Sequence, residues 1–284
     1  MPEPEPVKRK SYKGVRVTSD SFDCALPVTI DGRKWCSFAC GYCFASNTRL
    51  REGRTETLEE MKAAERTIHE TPYETVRKVF SGEDASTAVV LDRPGKEFRC
   101  PVQFGGLADP CDRKEEMYPW LLKVLDMAVE YRQPVRISTK GTALAKPEYL
   151  RIMAKAPELF WVAFSCITPD DELLRQIDYG APVASERLRT MEALSNIGVN
   201  TSLRFRPMIP GVSDRTRKHR YAYRDLIRMA SDAGARAVST EVMFLPALRH
   251  AQIWDRMEAA IGIPLRQVYK RMSKFATCMR PDRK

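Results

Sequence analysis

The chain has 284 residues, 43% apolar and 30% charged, enough for a substantial core and a well-solvated exterior in one large domain or two small ones. No apolar run approaches the ~20 residues of a membrane span, and the opening MPEPEPVKRK lacks the apolar stretch of a secretory signal, so a soluble, cytoplasmic protein with no membrane partner is expected. The formal charge of +10 is concentrated: residues 201–284 carry 18 Lys/Arg against 7 Asp/Glu, which points to a polyanionic partner, nucleic acid foremost, over a merely solvated surface.

Taken in chain order, residues 1–20 are rich in Pro, Lys and Ser and read as a disordered basic tail. TLEEMKAAERTIHE (57–70) reads as a helix opened by Thr57. TPYETVRKVF (71–80) reads as a second, with Thr71 as its cap and Pro72 at the first helical position. PVQFGG (101–106) is a strand ending in two glycines. EEMYPWLLKVLDMAVEYR (115–132) is one long amphipathic helix with Pro119 inside its first turn or kinking it. Strands are then expected at 134–139, 160–166, 199–209 and 235–244. Helices are expected at 146–156, at 184–198 with Gly198 as the stop, and at 220–234.

Strands alternating with helices specify a parallel α/β architecture, closed either as an open doubly wound sheet or as a full or partial barrel. Both put chemistry at the carboxyl ends of the strands. Those ends carry Gly105 and Gly106, then Ser138 and Lys140, then Ser165, then Arg204 and Arg206. Arg204 and Arg206 share one face by the two-residue period. If that face points inward they demand anions; the alternative is an outward basic face.

Eight cysteines lie at 24, 36, 40, 43, 100, 111, 166 and 278, a pattern too sparse for a secreted disulfide framework. Three of them fall in CSFACGYC (36–43). Structural zinc wants four ligands, and a redox C-x-x-C needs no third thiolate. A [4Fe–4S] cluster held by Cys36, Cys40 and Cys43 leaves one iron without a protein ligand, free to take a substrate or cofactor. The alternative is a four-thiolate zinc site completed by Cys24. Histidines 69, 219 and 250 form no ligand spacing, and Cys278 stands alone.

C-x3-C-x2-C with Tyr42 before the last cysteine resembles the radical S-adenosylmethionine (SAM) superfamily. The stretches FGGLADPCDRKEE, PVRISTKGTALAKPEYL, VAFSCITPDDELLRQIDYGAPVASERLRTMEAL and PMIPGVSD are similar to its spore photoproduct lyase-like (DNA repair photolyase-like) branch. The likeness spans residues 30–215. It implies a [4Fe–4S] cluster on the three thiolates and SAM chelated at the open iron. It further implies cleavage of the sulfonium by one electron from an external reductant, giving a 5′-deoxyadenosyl radical that abstracts hydrogen from the substrate. The implied fold is a partial (β/α)6 TIM-type barrel over 21–245, flanked by the tail at 1–20 and a basic helical C-terminal extension at 246–284.

The resemblance also implies site roles. Tyr42 packs near the cluster and adenine, Gly105 and Gly106 meet the SAM amino group, and Lys140 and Ser165 take its carboxylate, with Ser138 a further candidate on the same strand. Asp109 orients the ribose or accepts hydrogen bonds nearby. In the branch's lyase a cysteine three residues before the equivalent of Asp109 returns hydrogen to the product; here that position is Gly106. Cys111 or Tyr118 then supplies hydrogen, or a redox-neutral rearrangement recovers it from 5′-deoxyadenosine. The basic run DRTRKHRYAYR (214–224) is suited to a phosphate backbone, with stacking from Tyr221 or Tyr223. The expected function is lyase or isomerase-type radical chemistry on a nucleic-acid base or nucleotide, in repair or in base modification. The alternatives are the same chemistry on a small molecule or peptide, and a non-catalytic zinc-stapled nucleic-acid-binding protein.

Overall fold

A computed structural model of the chain describes residues 8–17; 26–92 except 35, 39, 44 and 46–66; 99–243 except 215; and 255–273 except 256 and 260. Among the described residues the strands are β1 Lys8–Ser11, β2 Val15–Arg16, β3 Thr29–Ile30, β4 Thr67–Glu70, β5 Val102–Phe104, β6 Val135–Thr139, β7 Phe160–Ser165, β8 Asn200–Met208 and β9 Ala235–Val242. Two helices, α1 Tyr73–Ser81 and α2 Ala85–Leu91, precede β5. Next come α3 Arg113–Met117 and α4 Trp120–Glu130, then α5 Pro147–Met153. Between β7 and β8 lie α6 Asp171–Ile177 and α7 Ala184–Asn196; α8 Ala222–Asp232 precedes β9, and α9 Leu265–Ser273 follows it.

The main sheet runs β2-β3-β5-β6-β7-β8-β9, with β2 antiparallel to β3 and the six strands from β3 onward all parallel. This order decides between the two architectures. A doubly wound sheet reverses its strand order at a switch point. Here the parallel strands follow chain order from one edge to the other, so every right-handed crossover moves the same way and lays its helices on the same face. The fold is a partial (β/α)6 TIM-type barrel.

One face of each strand meets the helices. Ile30, Val102, Phe104, Ile137, Val162, Phe164 and Leu203 pack with Leu121, Val124, Met153, Leu188 and Leu226 in one continuous core. The opposite, concave face is polar. In register across it lie Gln103, Arg136, Trp161 and Asn200, then Ser138, Ala163 and Ser202, then Ser165, Arg204 and Ser239. Its side chains bond to one another: Gln103 Nε2 donates to Ser138 Oγ (3.1 Å), Arg136 donates to Gln103 Oε1 (3.1 Å), and Trp161 Nε1 donates to Ser202 Oγ (2.9 Å). An apolar outer face and a hydrogen-bonding inner face mean that the barrel is built to enclose something polar.

Several sequence expectations change. Residues 67–70, expected to end a helix, form β4, which pairs in parallel with β1; residues 57–66 lie outside the described residues. Over residues 8–17 the tail expected to be disordered enters the fold as β1 and β2. Helix α1 starts one residue late, with Pro72 at the cap position, because the Thr71 hydroxyl donates instead to the Asp31 carbonyl (2.7 Å). The long helix expected over 115–132 breaks at Tyr118–Pro119 into α3 and α4. Proline has no N–H to continue the ladder, and the buried Glu115 carboxylate substitutes for it, accepting from Trp120, Leu121 and Leu122 N–H groups (3.0, 2.7 and 3.2 Å). Helices α2 and α6, each seven residues long and capped by Asp84 and Asp170, have no counterpart in the sequence reading. Of residues 246–284, the described part includes α9. Among the described residues no helix is long and apolar enough to cross a membrane.

Candidate active site

The cysteine loop follows β3 and is strung between two other strand-end segments. On one side Asp112, after β5, accepts from the Ser37 amide and hydroxyl (2.8 and 3.0 Å). On the other, Gly41 N–H donates to the Ile177 carbonyl (2.8 Å) and Gly180 N–H to the Phe38 carbonyl (3.0 Å), tying the loop to the end of α6. Cys43 N–H closes a turn on the Cys40 carbonyl (3.1 Å). These ties leave Cys36, Cys40 and Cys43 half-buried on one loop at the carboxyl end of the barrel, where the concave face opens.

Against this loop stands a buried charge network. Lys140, one residue beyond β6, donates from Nζ to Cys40 Sγ (3.0 Å), Tyr42 Oη (2.7 Å) and Asp178 Oδ1 (3.0 Å), and lies 4.4 Å from the centroid of the Tyr42 ring. Asp178 Oδ2 accepts from Arg187 (2.6 Å); both side chains are 0% exposed. Arg187 spends its other nitrogens on the carbonyls of Pro182 (2.7 Å) and Ser165 (2.6 Å). Burial alone would raise Asp178, yet Lys140 and Arg187 hold its carboxyl well below the usual range. Burial pushes the Cys40 thiol up to about 12, with Asp178 adding to the rise and Lys140 opposing it; burial likewise drives Cys36 up, helped by Asp112 and Asp109. Thiols so placed become thiolates when a metal centre supplies compensating positive charge.

The other candidates fall as follows. Asp109 accepts from Thr139 Oγ1 (2.6 Å) and Cys111 N–H (2.9 Å) on one oxygen and from Lys140 N–H (2.6 Å) on the other, so it splices the loop after β5 to the end of β6. Gly105 has φ +86°, and a Cβ there would lie 2.2 Å from the Ser138 carbonyl; at Gly106 a Cβ would lie 2.7 Å from the Thr29 methyl and 2.9 Å from the Arg16 guanidinium. Gly105 is thus required by its backbone conformation and its neighbour's carbonyl, whereas a side chain at Gly106 would have to displace Thr29 and Arg16. Ser138 sits lower on the concave face, bonded to Gln103. Ser165 and Arg204 are register partners at the mouth of the face. Arg206 lies beyond Arg204 and pairs with Glu241 of β9 (2.5 Å), an anion from within the fold. Cys111 is 2% exposed in the apolar core, its main chain closed off by Gly141. Tyr118 lies at the α3–α4 break, its carbonyl bonded by Arg33 and its ring 5.7 Å from Arg9.

Asp178 and Arg187 were not singled out in the sequence, although a signal exists. Ala184, Arg187, Leu188, Met191 and Leu194 form the buried stripe of α7, and an arginine inside an apolar stripe must have a buried partner. Asp31 was missed too: its carboxylate accepts from Leu107 and Ala108 N–H (2.9 and 3.2 Å) and from Arg16 (2.6 Å), fixing the glycine loop.

Burial also pushes Asp109 up to about 6 from its ordinary 3.8, against three donors that lower it. A carboxyl raised by folding keeps its proton after the unfolded chain has lost it. Its contribution to stability therefore falls as pH rises from about 3.8 to about 6 and is flat above. Urea midpoints of Asp109→Asn across that window should lack this slope relative to the parent; parallel curves would refute the raised value.

An open six-strand parallel barrel with a three-cysteine loop at its carboxyl mouth defines a metallocofactor barrel of the α/β class. Among the described residues no three His, Cys, Asp or Glu side chains close around one metal ion; three thiols along one loop suit a multi-iron cluster with a free corner. The sequence profile of the radical SAM superfamily matches residues 33–223, and the chain belongs to that superfamily. Membership brings a [4Fe–4S] cluster and SAM as cofactors, and the donor set at 36, 40 and 43 fits the cluster.

Among solved structures, spore photoproduct lyase complexed with dinucleoside spore photoproduct aligns at TM-score 0.61 and 12% identity, over 87% of this chain and 65% of that one. A doubly substituted form of the same lyase, with bound AdoMet and dinucleoside spore photoproduct, aligns at 0.59 and 13%, over 84% and 63%. Streptococcus suis SuiB bound to precursor peptide SuiA aligns at 0.50 and 12%, over 87% and 45%. These likenesses show the fold. An uncharacterised protein of Mycobacterium tuberculosis strain H37Rv is 29% identical over 192 residues, 67% of this chain and 52% of that protein, as is one from Mycobacterium bovis. The chain spans about half the length of the curated relatives it matches.

Proposed function

We propose that the chain is a radical SAM enzyme that abstracts hydrogen from a nucleic-acid base or nucleotide. The observation that carries this is the segment linking β8 to α8 together with the first turn of α8, at the same end of the barrel as the cysteine loop. Arg217, Lys218, Arg220, Tyr221 and Arg224 are at least partly exposed there. Tyr221, 43% exposed, has the Arg220 and Arg224 guanidinium groups 5.3 and 5.0 Å from its ring centre, and Tyr223 stands edge-on at 6.4 Å. Guanidinium groups flanking an exposed ring suit phosphate contact and base stacking together. Lys218 bonds Glu172 (2.9 Å) near the start of α6, holding the segment beside the opening.

In this reading Cys36, Cys40 and Cys43 hold the cluster, Lys140, Ser165 and Arg204 face the SAM carboxylate, and the Gly105–Gly106 loop faces its amino group. The bound cluster and SAM supply one-electron cleavage of a sulfonium carbon–sulfur bond, with the electron from an external reductant. The polar concave face suits the hydrogen-bonding edges of a splayed-out base. With Cys111 packed in the core, the reading favours a rearrangement in which hydrogen returns from 5′-deoxyadenosine over a cysteine relay.

The reconstituted protein should release 5′-deoxyadenosine faster when oligonucleotide is added. By fluorescence anisotropy, labelled single strands should bind with affinity that falls as salt rises. Arg220→Ala with Arg224→Ala should flatten the salt slope by about 2, and Tyr221→Ala should cost about 1–3 kcal/mol of single-strand affinity. Absence of salt-dependent binding to DNA and RNA alike would hand the site to a small-molecule or peptide substrate.

A further inference from the structure

We propose that a basic track along the outer side of the cysteine loop binds the phosphate backbone of a nucleic-acid strand, so that the substrate is a base within a polynucleotide and not a free nucleotide. The inference rests on the nucleic-acid reading of the site and adds a second anchor to it, on the other flank of the barrel mouth from the β8–α8 segment.

The track starts at the β1–β4 pair. Lys10 is the register partner of His69, and Lys34 N–H donates to the His69 carbonyl (3.1 Å), so both lysines are held beside that residue. Lys114, in the first turn of α3, joins them: burial, then the charges of Lys34, Lys10 and Lys114, hold the His69 imidazole below its ordinary value. Glu70, next along β4, lies 3.5 Å from Arg9 and 3.6 Å from Arg33, which offset its charge. Arg113 carries the track onward. Its main-chain N–H donates to Ser37 Oγ (3.2 Å) and its exposed side chain donates from Nε to the Gly180 carbonyl (3.2 Å), joining the cysteine loop to the end of α6. There Tyr179, 44% exposed, lies beside the loop; a Cβ on Gly41 would stand 3.8 Å from its ring. Arg175, exposed one turn earlier on α6, is within electrostatic reach of Lys218. Lys218, bonded to Glu172, leads into the Arg220–Arg224 stretch around Tyr221.

Parallel strands put the segments that follow β3, β5, β7 and β8 all at the carboxyl end of the barrel. β3 and β8 are four strand steps apart, on the order of 20 Å along the sheet at ~4.8 Å per step. A stacked strand advances ~3.4 Å per nucleotide, so a mononucleotide reaches one end of the track and a run of about six nucleotides reaches both. Cations at intervals with an exposed ring between them suit a single strand, whose phosphates meet the cations while a base stacks on Tyr179. Such contacts set the register of the strand over the mouth without reading its sequence.

The experiment uses the full chain, reconstituted anaerobically with iron and sulfide, and follows the anisotropy of labelled single strands of three and of twenty nucleotides across a salt series. DNA and RNA are titrated separately, and the tighter of the two is scored. The parent should bind the longer strand roughly tenfold or more tightly than the shorter. Lys10 and Arg175 are both exposed. Lys10→Ala with Arg175→Ala should flatten the salt slope of the longer strand by about 1–2 and leave the shorter within about twofold of the parent. Lys10→Glu with Arg175→Glu should weaken the longer strand further, and Tyr179→Ala should weaken it at every salt concentration without changing the slope. Parent-like binding of the longer strand in both double variants overturns the proposal, as does a parent that binds the two lengths alike. If the longer strand still binds the double variants as it binds the parent, while flavodoxin reduces their cluster more slowly and dithionite does not, the track serves an acidic electron donor and the proposal falls. A parent that binds neither length of DNA or RNA would instead sink the nucleic-acid reading itself, which separates the two failures.

Discussion

Cys40→Ala should lose the iron–sulfur chromophore and all reductive cleavage of SAM while keeping its fold. Three thiolates are the whole protein contribution to a cluster with one open iron, so removal of one leaves two irons without a protein ligand. Folding should survive because the loop is held by main-chain ties that do not involve the sulfur: Gly41 to Ile177, Gly180 to Phe38 and Ser37 to Asp112. Cys100 supplies the control. It is buried in the core among apolar neighbours, and Cys100→Ala should cost stability through lost packing yet keep iron content and 5′-deoxyadenosine yield. The checks are iron and sulfide per chain, visible absorbance and 5′-deoxyadenosine by chromatography. Full iron load in Cys40→Ala would refute the ligand assignment.

The second large effect falls on stability. Arg187→Met should destabilise the protein by about 3–5 kcal/mol, the usual cost of removing one partner from a buried ion pair. Methionine matches the length of the stem, so the loss is mostly electrostatic. Asp178 keeps Lys140 but loses a 2.6 Å partner, and the carbonyls of Ser165 and Pro182 lose their donors. Urea denaturation of the cluster-free chain at neutral pH measures it. The parent should also lose part of its advantage on acidification. Asp178 is depressed by folding, so its contribution is present above the unfolded carboxylate value and disappears as pH falls through the folded one. Arg187→Met combined with Asp178→Leu should be less destabilised than the two single changes added together, because the double variant removes both members of the pair. A loss below about 1 kcal/mol in Arg187→Met would show that the pair carries no such weight.

Much of this was legible in the residues because it depends on short-range periodicity. The strands at 134–139, 160–166 and 199–209 are found within one residue, since Pro134 and Gly198 mark the start of two of them and Phe160–Cys166 is a short aromatic and aliphatic run. Gly198, with φ +88°, lies in the turn after α7 where the helix was expected to stop. The three-cysteine loop is a local motif, so its candidacy as a metallocluster site was legible in the spacing, and the radical chemistry came with the resemblance of the longer stretches around it. The errors came where local pattern was weak or where a distant partner decided. β4 has the sequence Thr-Ile-His-Glu, with a single strongly apolar position, and it is a strand because Lys8–Ser11 pairs with it. The helix break at Pro119 is stable because a carboxylate four residues earlier caps the first turn of α4.

What the amino-acid order determined by itself was the alternation of strand and helix, the three clustered thiols and the basic run near Tyr221, all of them properties of neighbours along the chain. Tertiary structure alone decided that the strands succeed one another in chain order and so curve into a partial barrel. It alone brought Lys140 onto Cys40 across 100 positions, set Asp178 and Arg187 behind it, and withdrew Cys111 into the core. The reason is that burial and ion pairing depend on which groups are excluded from water together, and separation along the chain carries no record of that.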